Sequence, residues 1–142
     1  MMNENAPPVT YSARKDLPCD QLAALFRAVG WSDGGETEEM LAHFNRPFLN
    51  STFVFSAWDG EKLVGCVRVL SDRIFRSVIY DLAVLPDYQG HEIGRELVRL
   101  CRSECPDSEW LVQTTPERVG FYEHLGFRTN SDPLLTIPCK WF

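Results

Sequence analysis

The stretch from Ser77 to Cys101 limits the fold more tightly than any other part of the chain. Ser77-Val78-Ile79-Tyr80-Asp81-Leu82-Ala83-Val84-Leu85 reads as a buried strand, and Pro86 stops it. The loop Gln89-Gly90-His91-Glu92-Ile93-Gly94 follows, and from Ile93 the apolar positions Ile93, Leu97, Val98 and Cys101 fall at helical spacing. A strand delivered into a helix through a glycine-containing loop predicts a mixed α/β architecture. It also gathers unpaired backbone N–H groups and the positive end of the helix dipole at one point. Such a point is a ready site for a phosphate or diphosphate. Two diphosphate-binding patterns are missing: there is neither G-x-x-x-x-G-K-[ST] nor G-x-G-x-x-G.

The rest of the chain fits around this unit. Residues 1–8 read as a flexible tail ending in Pro7-Pro8, and Val9 to Arg14 as a first strand. Leu22, Leu25, Phe26 and Val29 mark one face of a helix from Pro18, which Gly30 ends. Thr37 with Glu38-Glu39 starts a second helix running to about Phe44. Thr52–Trp58 and Leu63–Leu70 are strands joined by a turn at Asp59-Gly60. Trp110–Gln113 is a short buried strand, and Pro116–Leu125 a helix with Pro at its start and Gly126 beyond its end. Short strands near Phe127 and over Leu134–Lys140 are expected to close the sheet. The expected fold is thus one α/β (α+β) domain over residues 9–142, with a largely antiparallel sheet of about six to seven strands and about four flanking helices.

Charge and cysteine usage narrow the function. The net charge of −6 argues against nucleic acid as a main partner. No apolar run approaches the roughly 20 residues of a membrane span, so no membrane partner is expected. The first residues lack the basic and apolar regions of a secretory signal, which gives a cytoplasmic protein as the simplest expectation. Five widely spread cysteines form no C-x-x-C pair, so neither a metal site nor a redox motif is expected.

Three segments carry a family resemblance. Gln89 and Gly94, with Gly90 and Ile93, match the Q-x-x-G-x-G loop, preceded by Leu82-Ala83-Val84-Leu85-Pro86-Asp87-Tyr88 and followed by Arg95-Glu96-Leu97. Gly120-Phe121-Tyr122-Glu123-His124-Leu125-Gly126-Phe127 is similar to an "FYxxLGF" helix, and Leu25–Trp31 (LFRAVGW) to a first-helix signature. Together, and in this order, they resemble the GNAT superfamily of N-acetyltransferases. One departure is plain: Glu92 stands where the family usually has glycine, adding bulk and negative charge beside a diphosphate unless it swings outward.

The resemblance implies acetyl-CoA as cosubstrate, no metal, and direct transfer of the acetyl group to a primary amine. It places the cofactor on Gln89, Gly90, His91, Glu92, Ile93, Gly94 and Arg95. It also implies that the preceding strand bulges and splays, freeing main-chain groups of Leu82, Ala83 and Val84. Tyr122 matches the family's tyrosine beside the leaving sulfur, against a packing role on an amphipathic helix. Val78 falls where some members carry a glutamate base, which leaves Asp81 as the nearest carboxylate, either a base or a structural acceptor. His43 and His124 read as surface residues. Trp31 and Tyr80, with Phe48, would form an aromatic wall for the acceptor. A small-molecule arylalkylamine or polyamine is the expected acceptor. A protein or peptide amine is the alternative, and so is a CoA-binding regulatory module without turnover. A homodimer is also expected of the family, with Leu134–Phe142 offering a strand to an interface or to the domain's own core.

Overall fold

A computed structural model describes residues 8–140; the tail expected over 1–8 therefore lies, except for Pro8, outside the described residues, as do Trp141 and Phe142. Five strands form one sheet in chain order: β1 (Thr10–Ser12), β2 (Phe53–Asp59), β3 (Lys62–Ser71), β4 (Arg76–Val84) and β5 (Glu109–Val112). The first four are antiparallel neighbours, and β5 joins β4 in parallel. A parallel neighbour requires a long crossover. It is supplied by the helix over Ile93–Glu104.

Helices cover both faces. On one side lie α1 (Cys19–Ala28), α2 (Glu38–Ala42) and α3 (Arg46–Leu49). Leu17, Leu22, Leu25, Phe44 and Phe48 from this layer close over Val54, Leu63, Cys66 and Ala83 of the sheet. On the other side lie α4 (Ile93–Glu104) and α5 (Val119–His124). The stripe Ile93, Leu97, Val98 and Cys101 is buried against Phe53, Phe55, Val67, Val69 and Ile79. The helical spacing read from the sequence therefore marks the face of α4 that anchors the diphosphate-type loop to the sheet.

Local chemistry accounts for most boundaries. The Thr37 hydroxyl accepts from the Met40 N–H and starts α2 as expected. The second helix ends earlier than expected, at Ala42, and a separate four-residue turn of helix, α3, follows with Pro47 in its first turn. So short a helix has no period to read in sequence.

Among the described residues the sheet has five strands rather than six or seven. No strand forms near Phe127 or over Leu134–Lys140: residues 127–140 carry no regular element. Pro133 and Pro138 bracket the apolar run and remove two backbone donors, and the Asp132 N–H turns back onto Asn130 Oδ1.

Candidate active site

The pairing of β4 with β5 stops halfway. Arg76, Ser77, Val78 and Ile79 face Glu109, Trp110, Leu111 and Val112, but β4 runs on to Val84 without a partner on that side. At the same point the β3–β4 register shifts: Cys66 pairs with Ala83 and Arg68 with Tyr80, so Val67 alone stands opposite Asp81 and Leu82. Asp81 is the extra residue of this β-bulge and has φ of 53°, in the left-handed region. The bulge bends β4 away from β5 and leaves one edge of Tyr80–Val84 facing a cleft of about 880 Å³.

The cleft runs from the start of α4 to the aromatic surface beyond α1. The 12-residue α4 points its N-terminus at the cleft, and Gly90, Glu92, Ile93, Gly94 and Arg95 line that end. Gly90 has φ of 81°, a conformation open to glycine at little cost. A Cβ at Gly94 would sit 3.4 Å from the Phe121 ring, an ordinary contact, so the α4 N-terminus lies close against α5 there. Gln89 ties the loop to the strand: its side-chain amide donates to the Val84 carbonyl at 2.9 Å. Glu92 caps α4 with φ of 68° and turns its exposed carboxylate toward Arg95, 3.6 Å away.

The sequence-derived residues do not all converge. Leu82, Ala83, Val84, Gln89, Tyr122, Asp81, Trp31 and Tyr80 all line the cleft. His91 does not: its Nδ1 is buried without a hydrogen-bond partner. Phe48 is not part of the aromatic wall, because it is buried under α1, separated from Tyr80 by the Arg68 guanidinium. Trp31 and Tyr80 are the exposed aromatics there. Gly30, with φ of 85°, and the bond from the Trp31 N–H to the Phe26 carbonyl close the end of α1 and present the indole. His124 is exposed, as the sequence reading has it, and also lines the cleft, with its Nδ1 2.6 Å from the Gly120 carbonyl.

Two electrostatic features define what the cleft can do. Burial on α5 pushes the Tyr122 phenol up to about 12, against a small opposing pull from Arg118. Its ring is packed edge-on against Phe121 and Phe127. Asp81, in turn, is held by Arg68: Nε lies 2.5 Å from Oδ2, and the guanidinium stacks over the rings of Tyr80 and Phe48. Sequence reading missed this partner, which is 13 residues away on the neighbouring strand, and it missed Arg118 at the cleft wall. Arg118 was findable, since it lies one helical turn before Tyr122.

This geometry fits a long ligand with a diphosphate at one end. The α4 N-terminus offers backbone donors and a favourable dipole, and Arg95 and Arg118 add positive charge. The unpaired edge of β4 offers main-chain groups to an extended arm. Among the described residues, no helix is long and apolar enough to cross a membrane, and no three His, Cys, Asp or Glu side chains are grouped to hold a metal ion.

Comparison with known proteins agrees with the geometry. Residues 50–129 match a family model described as an acetyltransferase (GNAT) domain. The chain is similar to the uncharacterized N-acetyltransferase ycf52 of Gracilaria tenuistipitata var. liui, 29% identical over 115 residues that cover 78% of this chain and 62% of that protein. It is also similar to the histone acetyltransferase TAP1 of Glycine max, 26% identical over 143 residues, 87% of this chain and 58% of that protein. The chain thus spans about three fifths of the length of these two relatives. Among solved structures, a GNAT-family acetyltransferase from Streptococcus pneumoniae TIGR4 superposes with a TM-score of 0.75 at 25% identity, over 92% of this chain and 98% of that one. With more than half of its length matched to the family and the splayed strand pair in place, the chain belongs to the GNAT acetyltransferase family.

Proposed function

We propose that the chain is an acetyl-CoA-dependent N-acetyltransferase acting on a primary amine of a small molecule such as an arylalkylamine or polyamine. The observation that carries this reading is the splay of β4 from β5 beyond Ile79 and Val112, opening onto the N-terminus of α4. When bound, acetyl-CoA supplies an acetyl thioester and a thiolate leaving group. The diphosphate would rest on the backbone of Gly90, Ile93 and Gly94, flanked by Arg95 and Arg118. The pantetheine arm would run along Leu82, Ala83 and Val84, whose N–H groups supply oxyanion-type donors.

Tyr122 acts in this reading as a hydrogen-bond donor rather than as a full acid. Giving its proton from about 12 to a thiolate of ordinary pKa near 8.5 is uphill by about 5 kcal/mol. A donated hydrogen bond stabilises the thiolate without that cost. At the other end of the cleft, Trp31 and Tyr80 receive the body of the acceptor. The Asp81 carboxylate, fixed by Arg68, draws in and orients its ammonium, and the ammonium proton leaves through water.

A thiol-release assay with acetyl-CoA across an amine panel tests the proposal, with calorimetry of acetyl-CoA binding beside it. Turnover with a small amine is expected. Turnover only with peptides would select the protein-amine reading, which the similarity to a histone acetyltransferase favours. Binding without turnover on any amine would select a regulatory CoA-binding module. No binding would remove all three.

A further inference from the structure

Two carboxylates line the cleft among the described residues, Asp81 on the β4 bulge and Glu92 at the start of α4. Each already has a guanidinium beside it: Arg68 Nε lies 2.5 Å from Asp81 Oδ2, and Arg95 Nη1 lies 3.6 Å from Glu92 Oε2. Glu92 belongs to the α4 end, so Asp81 alone serves the end bounded by Trp31 and Tyr80. Its Oδ2 is taken by Arg68, and among the described residues no hydrogen bond reaches Oδ1. One oxygen is left for one ammonium.

Arg68 also takes up the neighbouring aromatic surface. It stands directly across from Tyr80 in the β3–β4 register, and its guanidinium carbon lies 5.1 Å from the Tyr80 ring centroid. Its side chain is only 19% exposed, so solvent and salt screen its charge weakly. A second ammonium laid on the Tyr80 ring would face this guanidinium across it. Trp31, 47% exposed with Phe26 packed edge-on at 5.1 Å, offers apolar surface to the body of an acceptor.

The acidic residues beyond Trp31 do not supply a further anion to the cleft. Asp33 Oδ1 accepts the Gly35 N–H at 2.8 Å, the Ser32 hydroxyl donates to Glu36, and Glu38 and Glu39 sit in the first turn of α2. None of these four carboxylates lines the cleft. Arg27 adds positive charge there: a Cβ at Gly34 would sit 2.9 Å from Arg27 Cζ, which places that guanidinium against the loop.

We infer that Arg68 is a specificity residue that restricts the acceptor to a single positive charge, a monoamine on an apolar or aromatic body, and turns polyamines away. This specificity rests on the acetyltransferase reading above and selects one of the two small-molecule acceptors named there. It works by repulsion as much as by attraction: Asp81 draws in one ammonium, and Arg68 opposes the next. In the transfer the amine nitrogen bonds the acetyl carbon, the carbon–sulfur bond breaks with its electron pair going to sulfur, and the nitrogen's proton leaves through water. A monoamine thus becomes a neutral amide that Asp81 no longer holds, whereas an acetylated diamine would keep a charge.

The test compares kcat/KM for pentylamine and cadaverine, which differ by the second ammonium, and for phenethylamine and spermidine, at one acetyl-CoA concentration. The wild type should prefer each monoamine by about tenfold or more. Arg68→Gln removes the charge and should narrow that ratio to about threefold or less, whatever it does to kcat. Arg68→Lys keeps the charge and should keep the preference. A wild type that uses cadaverine or spermidine as well as the monoamines overturns the inference and leaves the acetyltransferase reading in place. A ratio that Arg68→Gln leaves unchanged does the same. Should Arg68→Gln not fold, the wild-type ratio and its loss or retention in Arg68→Lys still decide. No turnover with any amine overturns both readings.

Discussion

The two ends of the cleft are built to different standards. The end proposed for the cofactor rests on α4, whose inward residues are fully covered by the sheet and by α5, and its loop is tied to β4 by Gln89. The acceptor end is bounded by exposed Trp31 and Tyr80, by a bulge with a left-handed aspartate, and by residues following a short edge strand. On the proposed function, one common moiety is bound by a fixed frame, whereas the acceptor would meet surfaces that substitution can change without unfolding the domain. Stability and specificity are therefore separated along one groove.

Substitutions should reveal that separation. Leu97→Ala, in the buried stripe of α4, is expected to cost about 2–5 kcal/mol in denaturant unfolding. Leu135→Ala, in the exposed C-terminal segment, should change the stability by less than about 0.5 kcal/mol. Equal losses would mean that this segment belongs to the core.

Tyr122 spans both roles, and pH separates them. Its folded-state pKa, about 12, lies above the unfolded value of about 10, so its contribution is fully present below pH 10 and is lost as pH rises through 12. Two units correspond to about 3 kcal/mol. Unfolding of the wild type should weaken across that window, and the decline should be visibly shallower in Tyr122→Phe. At neutral pH the same variant should lower kcat about 10- to 100-fold with cofactor affinity intact. An unchanged kcat would reduce Tyr122 to packing.

The cofactor end was also the more legible in sequence. Ile93, Leu97, Val98 and Cys101 announced α4 because helical period is local, and Gly90 sits where a left-handed turn occurs. The acceptor end depends on relations that no local pattern carries. Alternation alone puts Asp81 opposite Tyr80 and Leu82 unless a bulge reorients it, and its left-handed conformation at the bulge brings it to Arg68, on the adjoining strand. Leu134–Ile137 has the composition of a strand, but strand formation needs an edge to pair with, and the single chain does not bring the two together. The sequence of an edge strand states a propensity; its partner is a tertiary or quaternary fact.

Asp81→Asn probes the acceptor end directly. The pair with Arg68 is only partly exposed, and neutralising one member is expected to cost about 1–2 kcal/mol of stability. If Asp81 orients the acceptor's ammonium, KM for the amine rises several-fold while kcat and its pH profile change little. A large loss of kcat with a displaced acidic limb would instead make Asp81 the proton acceptor. Acetyl-CoA affinity is the internal control, since Asp81 stands on the bulge away from the α4 terminus.

A small effect is also expected at the residue that most departs from the family's loop. Glu92 holds φ of 68°, a region that costs a side-chain-bearing residue roughly 1–2 kcal/mol, and its carboxylate faces Arg95 rather than the loop backbone. Glu92→Gly removes the strain but enlarges the entropy of the unfolded chain, so the net gain in stability should stay below about 1 kcal/mol. It also frees Arg95 from an exposed pair worth little. Acetyl-CoA affinity measured by calorimetry should then change by less than about threefold. A tenfold tightening would show that the carboxylate turns inward when the diphosphate arrives, and the cofactor end would have to be counted as adjustable too.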